Sequence, residues 1–265
     1  MTNNDGLMTF GDHLEVLRKM ILRIIGMAMS LAIIIFCLKK VIFNILLAPS
    51  DNNFITYRVI EQLAAGIGVN FHFEDYKVTL INTELASQFT VHMSTSFYLA
   101  LLFASPYVVV ELYRFIAPAL YENERQHSVF LAVSIYFLFM LGVLISYFVL
   151  FPFALRFLGT YQVSDVVINQ INLSSYISTF ISLTLLMGLV FQIPVISYFL
   201  AKFGFLSTIF MKKYRKQAFV IIAIVAAIIT PPDIFTCCLV IVPMYGLYEL
   251  SIFIVKRINN NNLPG

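Results

Sequence analysis

Four long apolar runs, at about residues 21–47, 89–112, 128–150 and 176–201, constrain this chain more than any other feature. Each approaches or exceeds the ~20 residues a helix needs to cross about 30 Å of hydrocarbon. A backbone in that solvent must satisfy its own N–H and C=O groups, so the runs read as transmembrane helices. A fifth run, Ala218 to Ile229, is shorter, and Pro231-Pro232-Asp233 separates it from a sixth, Ile234 to Val255. The last two are either two crossings, the fifth short, or a re-entrant hairpin. Both versions return the chain to the side on which it began. The expected fold class is all-α and polytopic, with six transmembrane helices of which the fifth and sixth are short: one membrane domain over residues 1–265, with spans near 21–47, 89–112, 128–150, 176–201, 217–230 and 234–255. Composition agrees, since 60% hydrophobic and 12% charged residues lie outside the soluble globular range.

Lysine and arginine set the orientation, because basic residues in short loops are retained in the cytoplasm. Arg18, Lys19 and Arg23 accompany the start of the first span, and Arg114 and Arg125 lie in the second connection. Lys202, Lys212, Lys213, Arg215 and Lys216 lie in the fourth, and Lys256 and Arg257 in the tail. Twelve of the seventeen basic residues thus share one side, which places both ends in the cytoplasm. Lys39, Lys40, Arg58, Lys77 and Arg156 fall on the other, where the first two can snorkel outward. Cations that punctuate apolar runs do not form a nucleic-acid surface, so lipid is the expected surrounding and nucleic acid is not a partner. Asp5, Asp12 and Glu15 before the first run, with no small-residue cleavage site after it, argue against a removable signal peptide. The longest extramembrane piece, about Pro49 to Gln88, includes the alternating Val69, Phe71 and Phe73 and reads as a small ordered outer cap. No internal repeat is found, and Asn259 to Asn262 reads as a frayed tail.

Enzyme motifs are missing: no phosphate-cradling glycine loop, no helical His pair, no Ser nucleophile between glycines. His13, His72, His92 and His127 are isolated and read as polar loop or interface residues, so no metal and no cofactor is expected. Gly66-Ile67-Gly68 is read as a turn. Cys37, Cys237 and Cys238 lie in or beside apolar segments and read as small core residues rather than a disulfide framework. Two acids, Glu111 and Glu249, sit near span boundaries. A secondary transporter or channel would place such acids along a solute path, and few other ionisable residues lie deep enough to support that reading. An intramembrane protease would need a nucleophile and base, and the usual spacings are absent.

The second connection is the most unusual segment, running from Glu111 through Tyr113, Phe115, Pro118 and Tyr121 to Glu122, Glu124 and Arg125. Glu122 and Glu124 fit the positive N-terminal dipole of the third span as solvated acids. They also make a short, partly apolar acidic surface suited to a ligand that carries guanidinium groups beside a hydrophobic helix, because carboxylates accept arginine's fork of donors. Phe115-Ile116-Ala117-Pro118-Ala119-Leu120-Tyr121 followed by Glu124-Arg125 resembles the signature of the TatC family, the C subunits of twin-arginine translocases. His13-Leu14-Glu15-Val16-Leu17-Arg18 is similar to the family's N-terminal His-Leu-x-Glu-Leu-Arg helix, and Ser105-Pro106 matches its second span. Thr230-Pro231-Pro232-Asp233-Ile234-Phe235 looks like its last outer turn, followed by Pro243-Met244-Tyr245 and Glu249. The likeness covers about residues 10 to 257.

The resemblance implies a six-span, cup-shaped receptor in the bacterial inner membrane. In that family it binds the twin-arginine signal peptides of folded cargo, recruits single-span TatA/TatB-type subunits, assembles with further copies of itself and draws on the proton-motive force. It also implies that Glu124 and Phe115 form much of the peptide site, with Tyr121, Arg125, Pro118 and an acid of the N-terminal helix contributing. Pro49, Pro106, Asp233 and Glu249 would serve structure or partner contacts. Two departures stand out. The family's N-terminal glutamate falls on Val16, whereas the acid here is Glu15, about 100° away around a helix. Its plain structural alternative is pairing with Arg18 and Lys19. The fourth span reads Phe191-Gln192-Ile193-Pro194 where the family usually has a glutamate, so Gln192 is expected either to satisfy the Val190 carbonyl freed by Pro194 or to make a polar spot on the cavity wall.

Overall fold

The computed structural model of the chain describes residues 10–69, 72–73, 78–116, 128–164 and 169–261. Its helices are α1 (Phe10–Cys37), α2 (Lys39–Leu47), α3 (Ile55–Gly66), α4 (Ser87–Ile116), α5 (Ser128–Ile145) and α6 (Phe151–Thr160). After them come α7 (Leu173–Val190), α8 (Ile193–Lys202), α9 (Thr208–Lys213), α10 (Arg215–Ile229) and α11 (Ile234–Asn261). A 3-10 turn, Ala48–Ser50, follows α2, and a π turn, Ser146–Leu150, joins α5 to α6. Strands β1 (Leu80–Ile81) and β2 (Ile171–Asn172) pair in parallel, Leu80 opposite Ile171.

Among the described residues, five helical stretches are long and apolar enough to cross a membrane: Leu14–Cys37, Ser87–Leu112, Ala132–Thr160, Leu173–Lys202 and Ile234–Asn260. The 15 residues of α10 extend only about 22 Å at ~1.5 Å per residue. The four long runs and the sixth therefore reach spanning length, and the fifth stays short. The first run is not one helix, because the chain turns at Leu38, whose N–H bonds to the Ile34 and Ile35 carbonyls. The third run continues through the π turn to Thr160.

Two compact units contain the described residues. One draws on Met1–Lys39 and His92–Tyr136, the other on Lys40–Val91 and Phe137–Gly265. In the first unit, α1 runs antiparallel to α4. Phe36 stacks on His92 at 4.0 Å between ring centroids, which makes this histidine a residue of the α1–α4 interface.

Prolines shape the second unit, and each leaves a carbonyl that must find a donor. Pro49, buried in the 3-10 turn, cannot donate to the Ile45 carbonyl, which instead accepts from the Tyr147 hydroxyl at 2.7 Å. The neighbouring carbonyls at the end of α2 are capped likewise: Tyr176 donates to Leu46 at 2.8 Å and Ser50 to Leu47 at 2.6 Å. Pro152 leaves the Phe148 carbonyl, and the Thr56 hydroxyl of α3 donates to it. Around these bonds, edge-to-face contacts join Tyr147 to Phe54, and Phe180 to both Tyr147 and Phe151. Gly142 lets α5 meet the α7 backbone, since a Cβ there would lie 2.4 Å from the Met187 carbonyl oxygen. A further core of Ala201, Met211, Ile252 and Val255 holds α8, α9 and α11.

Two expectations are corrected. The cysteines are not core residues: Cys37 and Cys238 are exposed and Cys237 is half-buried. Lipid is as apolar as a protein interior, so a small apolar residue in a span gains nothing by facing inward. Nor is the sixth span short: α11 runs for 28 residues, Ile234–Asn261. Between residues 49 and 88, α3, β1 and the 3-10 turn supply the regular structure among the described residues; Val69 is exposed, and Phe73 contributes its N–H to the Glu61 carboxylate (2.9 Å) and its ring to Tyr57. Phe71 lies outside the described residues.

Candidate functional site

The C-terminal turns of α4 and the N-terminal half of α1 meet through one buried acid. Glu111 is 1% exposed. Its Oε2 accepts from Arg23 Nε at 3.0 Å and Arg23 Nη2 at 2.7 Å, and its Oε1 from Arg114 Nη1 at 3.4 Å. The Tyr107 side chain hydrogen-bonds to the same carboxylate. A carboxylate removed from water without such partners would cost several kcal/mol (about 3–5 when one partner of a buried pair is lost), so the guanidinium groups are what allow it there. Phe115 lies one turn further along α4, half-buried, on the face that carries Glu111. Pro118, Tyr121, Glu124 and Arg125 lie outside the described residues.

On α1, Glu15 pairs with Lys19 at 2.8 Å, and both side chains are well exposed. Such an i,i+4 pair contributes a few tenths of a kcal/mol, about 0.3–0.5. At ~100° per residue, Val16 lies about 20° around α1 from Arg23, whereas Glu15 lies about 80° from it. Residue 16 thus shares the stripe that faces Glu111, and Glu15 does not.

A second polar cluster joins α10 to α11. Arg215 Nη2 donates to Glu249 Oε2 at 2.6 Å, and the Tyr245 hydroxyl donates to Oε1 at 3.1 Å. Both acids on which a solute-path reading depended are therefore ion-paired, Glu111 near the end of α4 and Glu249 midway along α11. Pro106 lies inside α4, half-buried. Asp233 caps α11, its Oδ1 accepting from the Thr236 N–H at 2.6 Å. Gln192 sits at the break between α7 and α8. Its own N–H has turned to Leu189 (3.0 Å), and its side-chain amide takes over the Gly188 carbonyl at 3.3 Å. Near α3, the Arg156 guanidinium lies over Phe73 at 4.5 Å and Tyr57 at 5.1 Å. Burial pushes the Tyr57 phenol up to about 12, against the opposing pull of Arg156.

The pairing of Arg23 with Glu111 was beyond sequence reasoning. The only hint was an acid at the edge of an apolar run, and its partner is 88 positions away. Among the described residues, no group of three or more His, Cys, Asp or Glu converges on a metal-sized site.

Comparison with known proteins bears on this arrangement. The family model for the Sec-independent protein translocase protein (TatC) matches residues 12–243. The Sec-independent protein translocase protein TatC of Blattabacterium sp. subsp. Periplaneta americana is 38% identical over 258 residues, 96% of this chain and 97% of that one. Its counterpart in Helicobacter pylori strain J99 is 41% identical over 187 residues, 69% of this chain and 74% of that one. A crystal structure of the twin arginine translocase receptor TatC superposes with a TM-score of 0.73 at 29% identity, covering 93% of this chain and 99% of that one. These relatives are components of protein transport and not enzymes. A polytopic helical membrane protein that shares their sequence over nearly its whole length, this chain belongs to the TatC family of Sec-independent protein translocase proteins.

Proposed function

We propose that this protein is the receptor subunit of a twin-arginine translocase, binding the twin-arginine signal peptides of folded cargo and helping to export that cargo with the proton-motive force. The observation that carries the reading is the family match over residues 12–243, which includes the Phe115 to Arg125 signature. Glu124 accepts one guanidinium and Phe115 packs the apolar part of the peptide, with Pro118, Tyr121 and Arg125 shaping the segment between them. Glu15 reaches the second arginine by releasing Lys19, a weak exposed pair that costs little to open. Gln192 supplies a hydrogen bond, not a proton, at the cavity wall. Pro49, Pro106, Asp233 and Glu249 hold the scaffold or meet partners. The chain lies in a bacterial inner membrane with both ends cytoplasmic, so Glu15 and Glu124 face the side on which folded cargo arrives. Single-span TatA/TatB-type subunits and further copies of the chain complete the complex.

Photocrosslinking from positions 115 and 124 to a twin-arginine signal peptide, beside its twin-lysine version, tests this. Arginine-dependent crosslinks are expected, and their absence overturns the receptor reading. Glu15→Ala should weaken crosslinking and export. If it leaves both intact while Glu124→Ala abolishes them, Glu15 has no part in the site.

A further inference from the structure

We infer that Arg23 and Glu111 form an interhelical clamp that positions the peptide-binding face: the pair holds the α1 segment carrying Glu15 in register with the α4 end carrying Phe115. The inference rests on the receptor reading proposed above and adds to it two residues with a defined positioning role.

The geometry carries it in three steps. The bond is directional, because two nitrogens of one rigid guanidinium converge on a single carboxylate oxygen at 3.0 and 2.7 Å, while Arg114 takes the other oxygen. It is also asymmetric, since Glu111 is 1% exposed and the Arg23 side chain 52%. The acid is therefore fixed within α4, and the arginine reaches it from α1. Its leverage comes from its position. The other tie between these helices described above, Phe36 on His92, is thirteen residues along α1, about 20 Å away. Of these two ties, the clamp is the one near the N-terminal turns of α1, so its loss loosens them most. Charge adds a second effect: two arginines against one glutamate leave the cluster cationic, and removing Glu111 would raise repulsion toward a ligand that brings two more guanidinium groups.

The test uses the full-length protein in its membrane with the twin-arginine signal peptide as probe. Arg23→Gln and Glu111→Gln should each lower the arginine-dependent crosslink from position 115 by about tenfold, equivalent to about 1.4 kcal/mol. The reversed pair, Arg23→Glu with Glu111→Arg, keeps the cluster's net charge and should recover to within about threefold of wild type. Arg23→Gln separates clamp from charge, because it makes the cluster less cationic and should strengthen binding if charge alone matters. A reversed pair as weak as the single variants, or Arg23→Gln at wild-type level or above, overturns the clamp. Spin labels at Lys19→Cys and Leu112→Cys in a chain with its three native cysteines replaced give a readout without peptide. Their distance distribution should broaden in both single variants and narrow again in the reversed pair, and an unchanged distribution overturns the clamp whatever the peptide does. If the wild-type crosslink is not arginine-dependent, the receptor reading fails while the distance measurement still decides the clamp.

Discussion

Gly142→Ala should destabilise the protein, although alanine is the better helix former. A Cβ at this position would lie 2.4 Å from the Met187 carbonyl oxygen, 2.8 Å from its carbon and 3.0 Å from Phe191 Cδ2. Nonbonded contacts settle at roughly 3.5 Å, so α5 and α7 must separate by about 1 Å, and the obstacle is backbone that cannot rotate away. Overpacking of this kind costs about 1–3 kcal/mol, and the gain in helix propensity returns up to about 1 kcal/mol. A net loss of about 1–2 kcal/mol corresponds to a fall of roughly 2–8 °C in the unfolding midpoint of a domain this size. Gly246→Ala is the internal control. It too lies within a helix, but a Cβ there meets nothing within 4 Å, so it should gain about 0.5–1 kcal/mol. Thermal unfolding of the detergent-purified full-length protein, followed by circular dichroism at matched protein and detergent concentrations, measures both. Gly142→Ala melting with wild type, or shifting in the same direction as Gly246→Ala, would refute the close approach of α5 and α7.

Thr56→Val should cost about 1–3 kcal/mol by leaving the Phe148 carbonyl without its donor, whereas Thr56→Ser should stay near wild type in the same melt. Tyr57 should make stability fall at high pH. Burial raises its folded-state phenol to about 12 from the ordinary tyrosine value of 10.0, so the folded protein keeps a proton that the unfolded chain releases. That contribution is complete below the unfolded value and is lost as pH rises through this window, by about 2–3 kcal/mol in all. Tyr57→Phe should flatten the slope; comparing slopes, not levels, allows for its lost hydrogen bond to the Pro152 carbonyl. Gln192→Leu removes the amide that serves the Gly188 carbonyl and should cost about 1 kcal/mol and reduce export. Normal stability with normal export in that variant would dismiss both polar roles.

The spans were legible in the sequence because membrane crossing depends on local quantities, the length and hydropathy of a run, and five of the six runs became helices of spanning length. The family was legible for a related reason. Phe115 to Arg125 and Thr230 to Phe235 are contiguous motifs that need no knowledge of what packs against them. Sequence could also mark Pro49, Pro152 and Pro194 as places where a carbonyl loses its partner. It could not say who replaces the lost N–H, because the answers differ in distance along the chain: Tyr147 for Ile45 and Thr56 for Phe148 are about a hundred positions away, while beside Pro194 a side chain bonds within its own turn. Nor could hydropathy tell lipid from core, which is why the cysteines were misplaced. Only the tertiary structure paired Arg23 with Glu111. A charge at the edge of a span is tolerated wherever a partner reaches it, and whether one does is decided by how two helices far apart in sequence are set side by side.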